Sequence, residues 1–144
     1  MSDEAFMRAA LELAAPRLGR TGDNPSVGCV IVKDRTIVGA GATGEGGRPH
    51  AEETALSQAG HEALGATAYV TLEPCAERSS GALACSDLLI AAGLARLVIA
   101  TRDPHPKAAG AGLARIRQAN IELKEGVLEA DARQQNAAFF AKLG

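Results

Sequence analysis

The sequence predicts an α/β protein, a three-layer α/β/α fold on a five-stranded mixed sheet with strands three to five parallel. Three observations predict it. Five short apolar runs alternate with helical patterns along the chain. The first two runs are separated only by Lys33-Asp34-Arg35, a hairpin turn, so they pair antiparallel. The later runs are joined through stretches that read as helical, which makes their connections right-handed parallel crossovers.

Residues 4–18 read as the first helix. Phe6, Ala9, Ala10, Leu13 and Ala14 share one stripe, and Gly19 ends it. The loop from Arg20 to Ser26 is dense in turn formers. Val27-Gly28-Cys29-Val30-Ile31-Val32 is a buried strand, and Thr36 to Gly41 returns beside it. Cys29 inside that strand reads as a small buried hydrophobe. The stretch from Ala42 to Arg48 is rich in glycine but has no G-x-G-x-x-G and no Walker lysine, so it is not a phosphate cradle. Pro49 opens a short helix to about Ala59, with Gly60 as its stop and His50 in its first turn. Glu52 and Glu53 suit the positive end of that helix, and Glu53 reads as a surface acid. Ala66 to Leu72 is the third strand, followed by Glu73-Pro74-Cys75. Ser86 or Asp87 caps a helix from Asp87 to Ala92. Arg96 to Ala100 is the fourth strand, Gly112 to Ala119 a helix, and Ile121 to Lys124 the fifth strand. Residues 127–142 form a last amphipathic helix with Leu128, Phe139 and Phe140.

At 144 residues the chain is expected to be a single domain spanning 1–144. Its net charge of −2, few aromatics and lack of tryptophan argue against a nucleic-acid partner. Three cysteines cannot all pair, no cationic leader opens the chain, and no stretch is long enough to span a membrane. The expectation is a cytoplasmic, reduced protein with thiols free to hold metal.

The chemistry concentrates in His50-Ala51-Glu52, Pro74-Cys75 and Cys85, which use most of a scarce supply of three His and three Cys. One imidazole and two thiolates are the ligand set of a catalytic zinc that keeps its fourth position for water. Glu52 beside that water is a general acid and base. Cys75 follows a strand's C-terminal end, where open α/β sheets bind ligands. Cys85 precedes a helix, whose amides favour a thiolate. His-x-Glu followed by Pro-Cys and a second Cys is the order of the zinc deaminase signature, although nine residues rather than two separate Cys75 from Cys85.

On these residues the chain resembles the zinc-dependent cytidine deaminase superfamily. It is most similar to the deaminase domain of the bifunctional riboflavin-biosynthesis pyrimidine deaminase/reductase. Asn24 through Val32, His50-Ala51-Glu52, Thr71 through Cys75, Asp103 through Pro106 and Ala109 through Leu113 all carry the likeness. The resemblance implies a cytidine-deaminase-like fold, Zn2+ on His50, Cys75 and Cys85, and Glu52 moving protons from the activated water to the ring nitrogen and the leaving ammonia. It implies an aminopyrimidine substrate, the riboflavin-pathway diaminohydroxyphosphoribosylaminopyrimidine. Asn24 is a candidate substrate contact, against a loop-capping role. Asp103 either orients the pocket or caps a turn. Arg78, Ser79 and Ser80 are candidate phosphate or ribose contacts, against a solvated loop. A homodimer or homotetramer is implied too.

The segment Ala76 to Ala84 departs from that family: it is one residue longer than usual and lacks its His-His-Gly run. The chain also stops where the reductase domain would begin. Three alternatives therefore stand beside the main reading. One is a deaminase of a free base or nucleoside such as guanine, cytosine or cytidine. Another is a tRNA-editing deaminase. The last is a zinc-stabilised binding domain with no enzyme activity.

Overall fold

The computed structural model describes residues 2–22, 24–74, 84–103 and 110–143. Among them, five strands form one sheet in the order β2-β1-β3-β4-β5. These are β1 Gly28–Lys33, β2 Thr36–Ala42, β3 Thr67–Leu72, β4 Arg96–Thr101 and β5 Glu122–Lys124. β1 is antiparallel to both β2 and β3, while β3, β4 and β5 run parallel. The expected mixed sheet is therefore the observed one.

Strand side chains alternate between faces, and the core splits accordingly. Cys29, Ile31, Ala68, Val70, Leu97 and Ile99 face one layer. That layer is made by α2 (Ala51–Ala59), α3 (Cys85–Ala91) and α4 (Ala111–Gln118). Val30, Val32, Tyr69, Val98 and Ala100 face the other, made by α1 (Asp3–Ala14) and α5 (Glu129–Gln135). Because β1 is covered on both faces, its sequence is a continuous apolar run rather than an alternating one. α2 lies close on β2: a Cβ at Gly41 would come within 2.6 Å of the Ala51 carbonyl oxygen.

Three helix expectations are corrected. α1 ends at Ala14 and a 3-10 turn covers Ala15–Arg17, since Pro16 has no amide to continue the α-helical ladder. α3 begins at Cys85, and its N-cap is Ala84 without a side-chain cap, rather than Ser86 or Asp87. The single C-terminal helix is two, α5 and α6 (Ala137–Leu143), broken at Asn136. The buried Asn136 side chain is drawn to the backbone of Ser26: Oδ1 accepts Ser26 N at 2.9 Å and Nδ2 donates to Ser26 O at 2.8 Å.

Candidate active site

The C-terminal ends of β3 and β4 are neighbours, with Leu72 paired to Thr101. The residues just past them, Glu73 and Asp103, open onto one cavity of about 190 Å³. Asn24, His50, Glu52 and Phe139 also line it. Five stretches distant in sequence thus converge where open α/β sheets bind ligands.

His50 does not lie in the first helical turn. It is the N-cap of α2, with extended backbone at φ −72° and ψ 153°. The angular divergence expected of two positions on one ideal helix therefore does not separate it from Glu52. Both face the same cavity, and Glu52 is 4% exposed. Glu53 is more than a surface acid: it is half-buried, and its Oε1 accepts the His50 amide at 3.0 Å, fixing the backbone that carries the imidazole. On the opposite side of the α2–α3 contact, Cys85 is fully buried at the first residue of α3. His50 Nδ1 lies 3.2 Å from Cys85 Sγ. Residues 50 and 85 are therefore brought together as their types suggested. Cys75, Arg78, Ser79 and Ser80 lie outside the described residues.

Residues 1–101 match the family described as the cytidine and deoxycytidylate deaminase zinc-binding region. The chain is 49% identical over 143 residues to riboflavin biosynthesis protein RibD of Escherichia coli K12, covering 99% of this chain and 39% of that protein. It is 42% identical over 143 residues to the diaminohydroxyphosphoribosylamino-pyrimidine deaminase of Buchnera aphidicola from Acyrthosiphon pisum, covering 99% of this chain and 97% of that protein. Among solved structures, Acinetobacter baumannii RibD superposes with a TM-score of 0.94 at 44% identity, covering 98% of this chain and 40% of that one.

The chain belongs to the cytidine and deoxycytidylate deaminase zinc-binding family. It spans about two fifths of the length of the RibD proteins it matches. Its fold is that of the cytidine-deaminase-like structures.

The donors present suit that metal. Zinc bonds of about 2.0 Å to nitrogen and about 2.3 Å to sulfur hold two tetrahedral ligand atoms about 3.5 Å apart. The His50–Cys85 separation is within a few tenths of an ångström of this. Among the described residues no group of three candidate ligands meets; Cys75, the expected third, lies outside them. Cys29 is fully buried in β1. Burial pushes its thiol well up, and the Glu52 carboxylate pushes it further. Cys29 is therefore held as a neutral thiol, the small hydrophobe that the strand pattern suggested.

The wall of this pocket holds residues that the motif does not name. Phe139 comes from α6, and Glu73 is 5% exposed beside Pro74. Phe139 was visible only as one apolar residue on an amphipathic helix. The Asn136–Ser26 bonds hold the start of α6 against the segment carrying Asn24 and Pro25. Gly47 also has a use: a Cβ there would sit 2.1 Å from Asn24 Nδ2, and its φ of +97° is one that glycine adopts freely. In the glycine-rich stretch it is Gly47 that leaves room for the Asn24 side chain.

Proposed function

We propose that the chain deaminates the diaminohydroxyphosphoribosylaminopyrimidine of riboflavin biosynthesis, replacing a ring amine by a carbonyl with release of ammonia. The observation that carries this reading is the end-to-end match with the Buchnera deaminase, 99% of one chain against 97% of the other. Relatives at 42% and 49% identity carry riboflavin-pathway names. That does not favour a free base or nucleoside as substrate.

In this reading His50, Cys75 and Cys85 would hold Zn2+, which would supply a water of lowered pKa at the pocket. Glu52, buried at the start of α2, would carry two protons in turn from the attacking water. The first would go to the ring nitrogen as the C–O bond forms, and the second, from the added hydroxyl, to the amine, whose C–N bond then breaks to release ammonia. Asn24 and Asp103 face the cavity from opposite loops and hold the polar edge of the pyrimidine. Arg78, Ser79 and Ser80 are the proposed ribose-phosphate contacts. We also propose that residues 1–144 act as one deaminase domain, cytoplasmic and assembled as a homodimer or homotetramer. No helix among the described residues is long and apolar enough to cross a membrane.

Ammonia release from the zinc-loaded protein tests the substrate, using the phosphoribosylaminopyrimidine, its dephosphorylated form, cytosine, guanine and cytidine. Turnover of the phosphorylated pyrimidine alone is expected. Preferential turnover of a base or nucleoside would overturn the substrate and leave the zinc chemistry standing. Light scattering coupled to gel filtration reads the assembly.

A further inference from the structure

Glu73 stands one residue beyond β3 and is 5% exposed. Neither the metal nor the proton transfer uses it. Its Oε1 accepts two backbone amides, Asp103 N at 3.1 Å and Gly110 N at 3.0 Å. These amides bracket the connection from β4, which ends at Thr101, to α4, which begins at Ala111. One oxygen therefore fastens both ends of that connection to the neighbouring strand. The tie is reciprocal, because Glu73 N donates to Thr101 O at 2.9 Å. Gly110 is the N-cap of α4 and offers no side chain to cap it, so Glu73 engages the backbone at that helix start. A buried carboxylate is costly unless its hydrogen-bonding capacity is used. Here it is spent on two donors whose places fix the main chain on either side. One of the two belongs to Asp103, which lines the pocket with His50 and Glu52.

We infer that Glu73 is a positioning residue: it sets the backbone at Asp103 and thereby the Asp103 carboxylate at the substrate pocket. The inference rests on the deaminase reading of that pocket. Two amide donors require an acceptor oxygen, not a negative charge. Glu73→Gln keeps such an oxygen and Glu73→Ala removes it.

The expected kinetics in the zinc-loaded enzyme follow from that difference. Glu73→Ala raises KM about tenfold with kcat within about threefold, the pattern of lost substrate binding rather than lost chemistry. Glu73→Gln restores both constants to within about threefold of wild type. Because Glu73 acts through Asp103, adding Glu73→Ala to Asp103→Ala costs nothing further. A Glu73→Gln enzyme as impaired as Glu73→Ala, or losses that multiply in the double variant, would overturn the inference. Amide hydrogen exchange provides a readout that needs no substrate. At Asp103 and Gly110, exchange is expected to accelerate at least about tenfold in Glu73→Ala and to stay near wild type in Glu73→Gln. If the wild type fails to turn over the phosphoribosylaminopyrimidine, the substrate reading falls. Exchange still decides the role of Glu73, since unchanged protection in Glu73→Ala overturns it. Should Glu73→Ala not fold, Glu73→Gln decides alone: wild-type KM and protection support the inference, and a raised KM overturns it.

Discussion

Asp3 and Glu73 are carboxylates near opposite ends of the same two parallel strands, and their partners differ in kind. Asp3, in the first turn of α1, accepts from Tyr69 Oη at 2.7 Å, from both terminal nitrogens of Arg96 at 2.9 and 2.8 Å, and from Lys124 Nζ at 3.0 Å. The Arg96 guanidinium holds its carboxyl well below the usual carboxylate range. That cluster is electrically satisfied, and its strong ties join α1, β3, β4 and β5. Glu73, among the described residues, meets only backbone amides. Arg102, the nearby cation, is instead engaged by Glu125 at 2.6 Å. Glu52 and Asp103 share its cavity. One end of the sheet surrounds its carboxylate with cations and becomes a fastening. The other end ties Glu73 to main-chain amides at the edge of a cavity that Glu52 and Asp103 also line.

The largest effect that would break this contrast is at the metal. Cys85→Ser is expected to lose zinc, measured by metal analysis after dialysis, and with it all turnover. Full zinc retention would remove Cys85 from the ligand set. Glu52→Gln is the sharper test, since it should keep zinc and leave Tm near wild type while kcat falls about a thousandfold. Unchanged kcat in that variant would sink the proton-transfer role.

Much of this was legible in the sequence, for identifiable reasons. The His50–Cys85 pair stood out because His and Cys are scarce here, and each candidate sits at an element boundary. The two faces of the sheet follow from alternation along β1, β3 and β4. The break between α5 and α6 was not legible. Gln134-Gln135-Asn136-Ala137 contains no helix breaker of the Gly or Pro kind, and the bonds that interrupt the helix reach a backbone 110 residues away. Glu73 was hidden in the same way, because its partners are main-chain amides, which carry no residue signature. His50 was set two positions too deep because proline at N1 is the usual helix start, yet here Pro49 stays outside and the imidazole residue is the cap.

Asn136 offers the next test, because it joins stability to the pocket. Asn136→Ala leaves the Ser26 amide and carbonyl without their partners, and a loss of about 2–3 kcal/mol is expected in denaturant unfolding. KM should rise as well, since the same bonds hold the loop of Asn24 against α6 with its Phe139. A stability loss with unchanged KM would show that the staple serves the fold alone.

The smallest effects come from the Asp3 cluster, and they should appear in stability without touching catalysis. Asp3→Asn is expected to cost about 1–2 kcal/mol, with kcat/KM as in the wild type. Its pH signature has two limbs. A depressed carboxyl contributes stability that is complete above its unfolded value of about 4 and is lost as pH falls below it. Tyr69 works in the other direction. Burial first, then the hydrogen bond to Asp3, push its hydroxyl up to about 12. Its contribution is complete below the unfolded value of about 10 and is lost as pH climbs from there. Wild-type Tm should therefore fall between about pH 10 and pH 12, and Tyr69→Phe, which has no proton to lose, should flatten that limb. Asp3→Asn should flatten the acid limb instead. If the alkaline limb is as steep in Tyr69→Phe as in the wild type, another group titrates there, and the cluster is a geometric fastening without the proton linkage that its hydrogen bonds imply.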